Sequence, residues 1–365
     1  MSHASPRRRT AVLGLAFVAT AALLAGCSAT PAPTATLEPG ETASGTIVVS
    51  TFPFGVEEFQ KAVVDPFEAA TGITVELDTG SNADRLSKLE LNGDSSGIDV
   101  MLISDYYAAL GQSKDLFAEV DEDEVPNLAE ISDFAKEDQY DGPAYSYQLN
   151  GTLYRTDQMT AAQAADWNTF GDPEYKGKIA MPDISVTAGQ LTVSGIADVF
   201  GSDPYDVDEA FSTLASWNDN VLQYYTSSTE VSSLLSQGEI AAAPALSGFA
   251  TSLVASGAPI AWTAPTEGTF MATNRAMIPV GAPNTPAANA FIDYLLSVEA
   301  QTSSAAIVGD LPVNPGATVP TELTAIAGEA ATDPIGAGYS TLDIDTIVKN
   351  RTDWVDRFAR EVSSK

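Results

Sequence analysis

From Gly45 onward, short β-branched runs alternate with segments of helical periodicity. No other feature restricts the fold as much, because strand–helix–strand units close as parallel sheets covered by helices. Residues 46–50, 73–77 and 98–103 read as strands. Between the first two, residues 56–70 place Val56, Phe59, Val63, Val64 and Phe67 at helical spacing, and Gly72 ends the run. Pro66 inside it predicts a kink or two helices. Residues 82–91 put Leu86 and Leu89 on one helical face, and a short helix is expected from Asp105. After Pro143 a second series follows, with strands over 178–181, 221–225, 240–245, 258–262 and 275–280 and helices over 188–200, 210–217, 230–237 and 286–296. There is no internal repeat of fixed period. Two α/β lobes with crossings between them fit a chain of 365 residues.

The N-terminus reads as a targeting segment. Arg7, Arg8 and Arg9 precede an apolar run over 11–24 broken only by Gly14 and Thr20. That run falls short of the about 20 apolar residues a membrane span needs and has the proportions of a secretory h-region. It ends in Leu24-Ala25-Gly26-Cys27, which resembles the lipobox of bacterial lipoproteins. The resemblance implies cleavage before Cys27, lipidation of that residue, and a cell-membrane location on the extracytoplasmic face. The expected division is a signal peptide over 1–26 and a tether over 27–45, whose Pro, Thr, Ala and Ser content reads as an extended linker.

Charge and residue counts exclude several classes of function. Seventeen Lys and Arg stand against 49 Asp and Glu, a formal charge of −32. Phosphate neutralisation needs clustered cations, so nucleic acid is not an expected partner. Cationic solutes are favoured in steering, although net charge sets neither fold nor substrate. Cys27 is the only cysteine and His3 the only histidine. No intramolecular disulfide or cysteine-rich zinc site can form. Removal of residues 1–26 takes three arginines and His3 with it, leaving −35 and no histidine. Imidazole-based acid–base, nucleophilic and metal chemistry then fails, and neither a cofactor nor a metal is expected.

Three motifs dissolve on inspection. Gly93-Asp94-Ser95-Ser96-Gly97 matches the G-x-S-x-G elbow, but a helix precedes it and a strand follows, the reverse of what the elbow needs. Residues 171–178 miss a P-loop by one residue and by Ile179, where Ser or Thr is required. Asp121-Glu122-Asp123-Glu124 lacks the alternating ligands and central Gly of a calcium loop.

A family resemblance runs in order along nearly the whole mature chain. Pro66-Phe67-Glu68-Ala69-Ala70-Thr71-Gly72-Ile73-Thr74-Val75 resembles the first helix-to-strand turn of bacterial extracellular solute-binding proteins of ABC importers. Gly97-Ile98-Asp99-Val100 with Ser104-Asp105-Tyr106-Tyr107 resembles the spermidine/putrescine-binding branch. Residues 173–178, 237–240, 256–260, 265–269 and 288–296 match further elements, as does Ile278-Pro279. The resemblance implies a two-lobed α/β fold of the periplasmic-binding-protein type (type II), with the solute in a cleft between lobes. It also implies an ABC permease and its ATPase as partners, no catalysis, and a monomer. The expected lobes are 46–147 with 273–315, and 148–272 with 316–365.

Open parallel sheets bind ligands outside the carboxyl ends of their strands, which directs attention to Phe52, Phe54, Asn82, Ser104, Asp105, Tyr107, Asp183 and Ser228. Phe52, Ser104, Tyr107, Ser228 and Asp343 keep chemistry suited to the resemblance, and Tyr147, Ser247 and Asn274 complete the candidate ligand-binding set. Polyamine binders pair ammonium groups with carboxylates and box the methylenes with aromatic rings. Where the family carries pocket tryptophans and an aspartate, this chain reads Leu246, Ala272 and Asn274. Part of the amine clamp is missing, and the anions left to pair with a cation are Asp105, Asp183 and Asp343. The expected ligand is a small polar solute, with amine-containing compounds as candidates. An iron(III) binder of the same fold, suggested by Tyr224-Tyr225, and a carboxylate-dependent extracellular hydrolase are the alternatives.

Overall fold

A computed structural model describes residues 43–364; Cys27, the apolar run before it and most of the tether lie outside the described residues. Among the described residues twelve strands are found: β1 Thr46–Thr51, β2 Thr74–Thr79, β3 Val100–Ser104, β4 Phe117–Ala118, β5 Ala144–Leu149, β6 Thr152–Arg155, β7 Ile179–Pro182, β8 Val221–Tyr225, β9 Ala242–Pro244, β10 Ile260–Thr263, β11 Met271–Pro279 and β12 Leu311–Pro312. They form two sheets. The first runs β12-β5-β11-β3-β1-β2, with β4 on the end of β11, and the second runs β10-β6-β9-β7-β8. β1 lies parallel to β2 and β3, and β7 parallel to β8 and β9. β11 and β6 are antiparallel members that close the edges of those parallel sets.

The helices that the periodicity placed arise near their expected bounds, with one refinement, while others, among them Val298–Ile307, Thr321–Ala327 and Ile344–Phe358, were not anticipated. The run after β1 is helical from Val56 to Thr71, but Gln60–Val64 is wound as a π-turn, with Asp65 N–H donating to Gln60 O. Pro66 has no N–H and its ring crowds the preceding turn, so one wider turn absorbs the residue without breaking the helix. Gly72 then stops it in the left-handed conformation (φ 74°). Phe67 packs edge-on against Phe291 of the Thr285–Leu296 helix, ring centroids 5.1 Å apart, within the core of the first sheet. Trp167, Phe170, Phe211 and Phe358 fill a separate core against the second sheet.

The chain crosses between the sheets through Asn150-Gly151 and again through residues 264–270. These crossings are bonded to each other: Asn150 N donates to Phe270 O (2.9 Å), Phe270 N to Asn150 Oδ1 (3.0 Å), and Asn150 Nδ2 to Gly268 O (2.9 Å). A third segment joins them, with Tyr339 Oη donating to Asn150 O and Phe270 bridging in parallel to Ser340. Gly268 (φ 68°) passes against Gly195 of the Thr187–Phe200 helix so closely that a Cβ would overlap the Gly195 carbonyl. Gly268→Ala therefore combines backbone strain with a clash against main chain. It is expected to cost about 2–4 kcal/mol, read as a lower urea midpoint at unchanged m. A midpoint like that of the unaltered protein would show that the crossings are not held this tightly.

Candidate functional site

The carboxyl ends of all six parallel strands converge on one cavity of about 240 Å³. Thr51 and Phe52 come from the end of β1, Asn82 follows β2, and Ser104 ends β3. From the second sheet, Val186, Thr187 and Ala188 follow β7, Tyr225 ends β8, and Leu246 follows β9. Tyr145, Asn274 and Asp310 on the first-sheet side, with Gln148 and Ala272 near the crossings, complete the wall. A ligand here touches both sheets at once.

The floor on the first-sheet side is organised by Arg85, which is 2% exposed. Its guanidinium donates to Ser50 O, Leu102 O and Gly80 O and to Asn82 Oδ1, joining β1, β3 and the start of the Asn82–Asn92 helix. It also lies 5.2 Å from the centre of the Phe52 ring. No carboxylate pairs with it within the described residues, and burial lowers its pKa to about 10, so it stays charged and is neutralised by carbonyl dipoles. Asn82 passes the order on by donating to Ser104 Oγ (3.2 Å). Arg85→Met strands those carbonyls and is expected to lower stability by about 2–4 kcal/mol, with Phe52 losing its fixed position. Unchanged denaturation would contradict the bracing role.

At the mouth, Phe54 of the first-sheet side and Phe249 of the second approach at 5.8 Å between ring centroids. Phe54 is 59% exposed, a large apolar ring held at an opening. Deeper in, Tyr225 Oη donates to Pro244 O (2.6 Å), and burial keeps the Tyr225 and Tyr145 phenols neutral. Gln148 Oε1 is buried without a partner.

Among the described residues, Asp310 is the one carboxylate on the wall, and no Lys, Arg or His lines it. Its Oδ2 accepts from Ser304 Oγ (2.8 Å). Burial pushes its carboxyl up to about 6 from 3.8, with the Ser304 hydrogen bond opposing the rise. The destabilising cost of this charge is fully present above pH 6 and relieved as pH falls toward 3.8. Asp310→Asn is expected to stabilise the ligand-free protein at neutral pH and to flatten its stability between pH 6 and 4, measured by urea unfolding across pH. A destabilised variant would mean that the carboxylate is structural.

Of the residues expected at the site, Phe52, Phe54, Asn82, Ser104 and Asn274 line the cavity, and so do Leu246 and Ala272. Asp105 does not: its oxygens accept from Tyr106 N (2.7 Å) and Thr273 N (2.9 Å), tying its helix to β11. Tyr107 packs edge-on against Tyr106 (4.8 Å). Tyr147 donates to Ala330 O (2.7 Å) and meets Phe134 edge-on. Asp183 accepts from Ser185 N in the turn before the Thr187–Phe200 helix. Ser247 Oγ accepts from Leu149 N, a crossing contact. Asp343 caps the Ile344–Phe358 helix through Thr346 N. The three aspartates and Ser247 are occupied by local or crossing structure, the ordinary use of a short polar side chain at an element's end, and the two tyrosines are engaged in ring packing. Ser228 begins the Ser228–Gln237 helix, and its side chain lies outside the described residues. Asp310, Tyr145, Gln148 and Phe249 were not among the candidates. Tyr224, paired with Tyr225 in the iron reading, points away to Asn218 Oδ1 and packs against Phe358.

One guanidinium spans the two halves. Arg351, on the Ile344–Phe358 helix packed on the second sheet's core, donates to Ser185 O and Gln190 Oε1. It also lies 4.2 Å over the ring of Tyr106, on the helix that follows β3.

Comparison with known proteins gives a consistent picture. Residues 62–330 match the family described as bacterial extracellular solute-binding protein. The spermidine/putrescine-binding periplasmic protein 1 of Haemophilus influenzae is 26% identical over 283 residues, 76% of this chain and 77% of that protein. A crystal structure of an ABC transporter protein from Clostridium perfringens superposes with a TM-score of 0.74 at 28% identity, covering 87% of this chain and 99% of that one. At the level of fold alone, a Trichodesmium protein in complex with iron and citrate gives a TM-score of 0.69 at 17% identity, covering 88% of this chain and 100% of that one.

Proposed function

This chain belongs to the bacterial extracellular solute-binding proteins, and from that premise we propose that it captures a small polar, amine-containing solute by closure of its two lobes and delivers it to a membrane permease. As a solute-binding protein of an ABC transporter it works with a permease and an ATPase. The carrying observation is the cavity at the carboxyl ends of all six parallel strands, walled from both sheets. Binding there couples occupancy to the angle between the lobes. Lobe one is taken as residues 46–147 with 273–315, and lobe two as 148–272 with 316–365, so that the hinge falls on the bonded crossings around Asn150 and Phe270. Cys27 is taken as the lipid-bearing residue that holds the protein at the extracytoplasmic face; no helix among the described residues is long and apolar enough to cross a membrane.

The relative from Haemophilus influenzae supports an amine-containing solute. Leu246 and Ala272 replace aromatic walls, and Asn274 replaces a charge, which argues against a polyamine held by several ion pairs. The hydrolase alternative is disfavoured because glycoside hydrolysis needs two carboxyl groups flanking the scissile bond, whereas this wall carries one. The iron alternative is disfavoured because Tyr224 and Tyr225 both donate to fixed protein acceptors and burial favours their neutral forms.

Mass spectrometry of small molecules co-purifying with the full-length protein names candidate solutes, and scattering at saturating solute tests the mechanism. A smaller radius of gyration and a higher Tm are expected; identical scattering curves with bound solute would refute closure. For the tether, Cys27→Ala is expected to release the protein from the membrane fraction or leave it unprocessed. Membrane association that persists without lipid on the N-terminal peptide would refute the anchor.

A further inference from the structure

We propose that Asp310 is the counter-ion for a single protonated nitrogen group on the solute, with Gln148 Oε1 as a second acceptor, so that the cleft selects compact monocations with an apolar body over di- and polyamines. This rests on the solute-capture reading above and narrows it.

The first observation is the charge inventory of the wall. Among the described residues, Asp310 is its only carboxylate, no basic side chain lines it, and its two tyrosines stay neutral. Asp310 lies deep in the protein yet keeps a partly open face where it borders the cavity. The second is that this carboxylate is under-used. A carboxylate offers about four acceptor sites; the hydrogen bond described for Asp310 comes from Ser304 Oγ, and no described Lys or Arg pairs with it. A buried charge without a partner is costly, and one cation in hydrogen-bonding contact removes that cost. The third is independent of charge: Gln148 lines the same wall, and its Oε1 is a buried acceptor with no donor that a solute reaches by a turn of the side chain. Two vacant acceptors in one cavity call for a solute that donates.

The remaining wall explains the limit of one charge. Phe52, Phe59, Tyr225, Leu246 and Phe249 offer apolar and π surface, suited to a hydrocarbon or aromatic body. A second ammonium would be desolvated against them with no anion to meet it. Arg85 does not make the cleft an anion site, because its guanidinium lies beneath the floor and is engaged by three carbonyls and Asn82. The titratable neighbour facing Asp310 is Tyr145, which burial holds in its neutral form. The carboxyl, raised to about 6 in the empty cleft, is ionised at pH 7.5 and largely protonated at pH 5, so affinity for a cation falls over that interval.

The test is calorimetry on the full-length protein with n-butylamine, phenethylamine, putrescine and spermidine, and with 1-butanol and 2-phenylethanol as neutral counterparts, at pH 7.5 and 5. A monoamine is expected to bind at least tenfold more tightly than putrescine or spermidine and to weaken at least fivefold at pH 5. Asp310→Asn is expected to weaken it at least thirtyfold while leaving the weak affinity for the alcohols within threefold. Gln148→Leu, which cannot accept a hydrogen bond, is expected to weaken the monoamine several-fold, and retained thermal unfolding of both variants shows that they fold. Tighter binding of putrescine or spermidine, monoamine affinity within threefold in Asp310→Asn, or no binding of any amine would each overturn the assignment. If none of the amines binds but a co-purified neutral or anionic solute still closes the lobes, solute capture stands and this inference falls. If no solute closes them, both fall.

Discussion

Each polar atom of Asn150 is engaged by a neighbouring crossing segment: its N–H and both side-chain atoms by residues 268–270, its carbonyl by Tyr339. Three passages of chain between the sheets are thereby held as one narrow bridge. The position of every strand end on one side relative to the other depends on that bridge. It also explains why glycines stand beside it. The Trp262 ring sits where a Gly151 side chain would go, and the Gly195 carbonyl where a Gly268 side chain would go. Tightly packed backbones give a hinge few routes of movement, which favours rotation of whole lobes over diffuse bending.

Buried arginines perform the second organising task in a chain whose formal charge is −32. Arg85 gathers the strand ends below the cavity, and Arg275 pairs with Glu137 (2.7 Å) while stacking on Tyr140. Arg351 reaches from the second sheet's side to Tyr106. A guanidinium suits this work because its planar fork of donors meets several carbonyls and a ring face together. The acidic surface and the basic interior are separate devices. The surface sets solubility and long-range attraction, whereas Arg85 fixes the geometry of a wall on which, among the described residues, Asp310 is the charged side chain.

Much of the fold was legible because it rests on local pattern. The parallel order of β1, β2 and β3 follows from apolar strand runs separated by helical ones, and the Gly72 stop was visible in the sequence. β5 and β6 were not read, because Ala144–Leu149 and Thr152–Arg155 mix tyrosines with polar residues and become strands through pairing with β11, β12, β9 and β10. The cavity was half legible. Strand-end residues such as Phe52, Asn82 and Ser104 could be located by topology alone. Asp105, Asp183 and Asp343 sat at equally plausible ends, yet helix starts and turns claimed them. Asp310 gave no local signal. It stands between the Val298–Ile307 helix and the two-residue β12, in a segment with no strand or helix period of its own, and only tertiary folding brings it to the wall.

That contrast bears on how such a cleft discriminates. The negative field of the whole chain attracts any cation but is screened within about 10 Å at 0.1 M salt, so it cannot distinguish one amine from another. Discrimination must come from groups that a desolvated solute meets at contact distance. Here the wall opposes one carboxylate to rings, aliphatic carbons and uncharged hydroxyls and amides. On the reading proposed above, adding a charge to an amine solute strengthens its long-range approach while raising the cost of its final placement, because only the first ammonium finds an anion. On that reading, Leu246, Ala272 and Asn274 together with Asp310 make a site for one cation, in which the penalty for a second charge supplies the specificity.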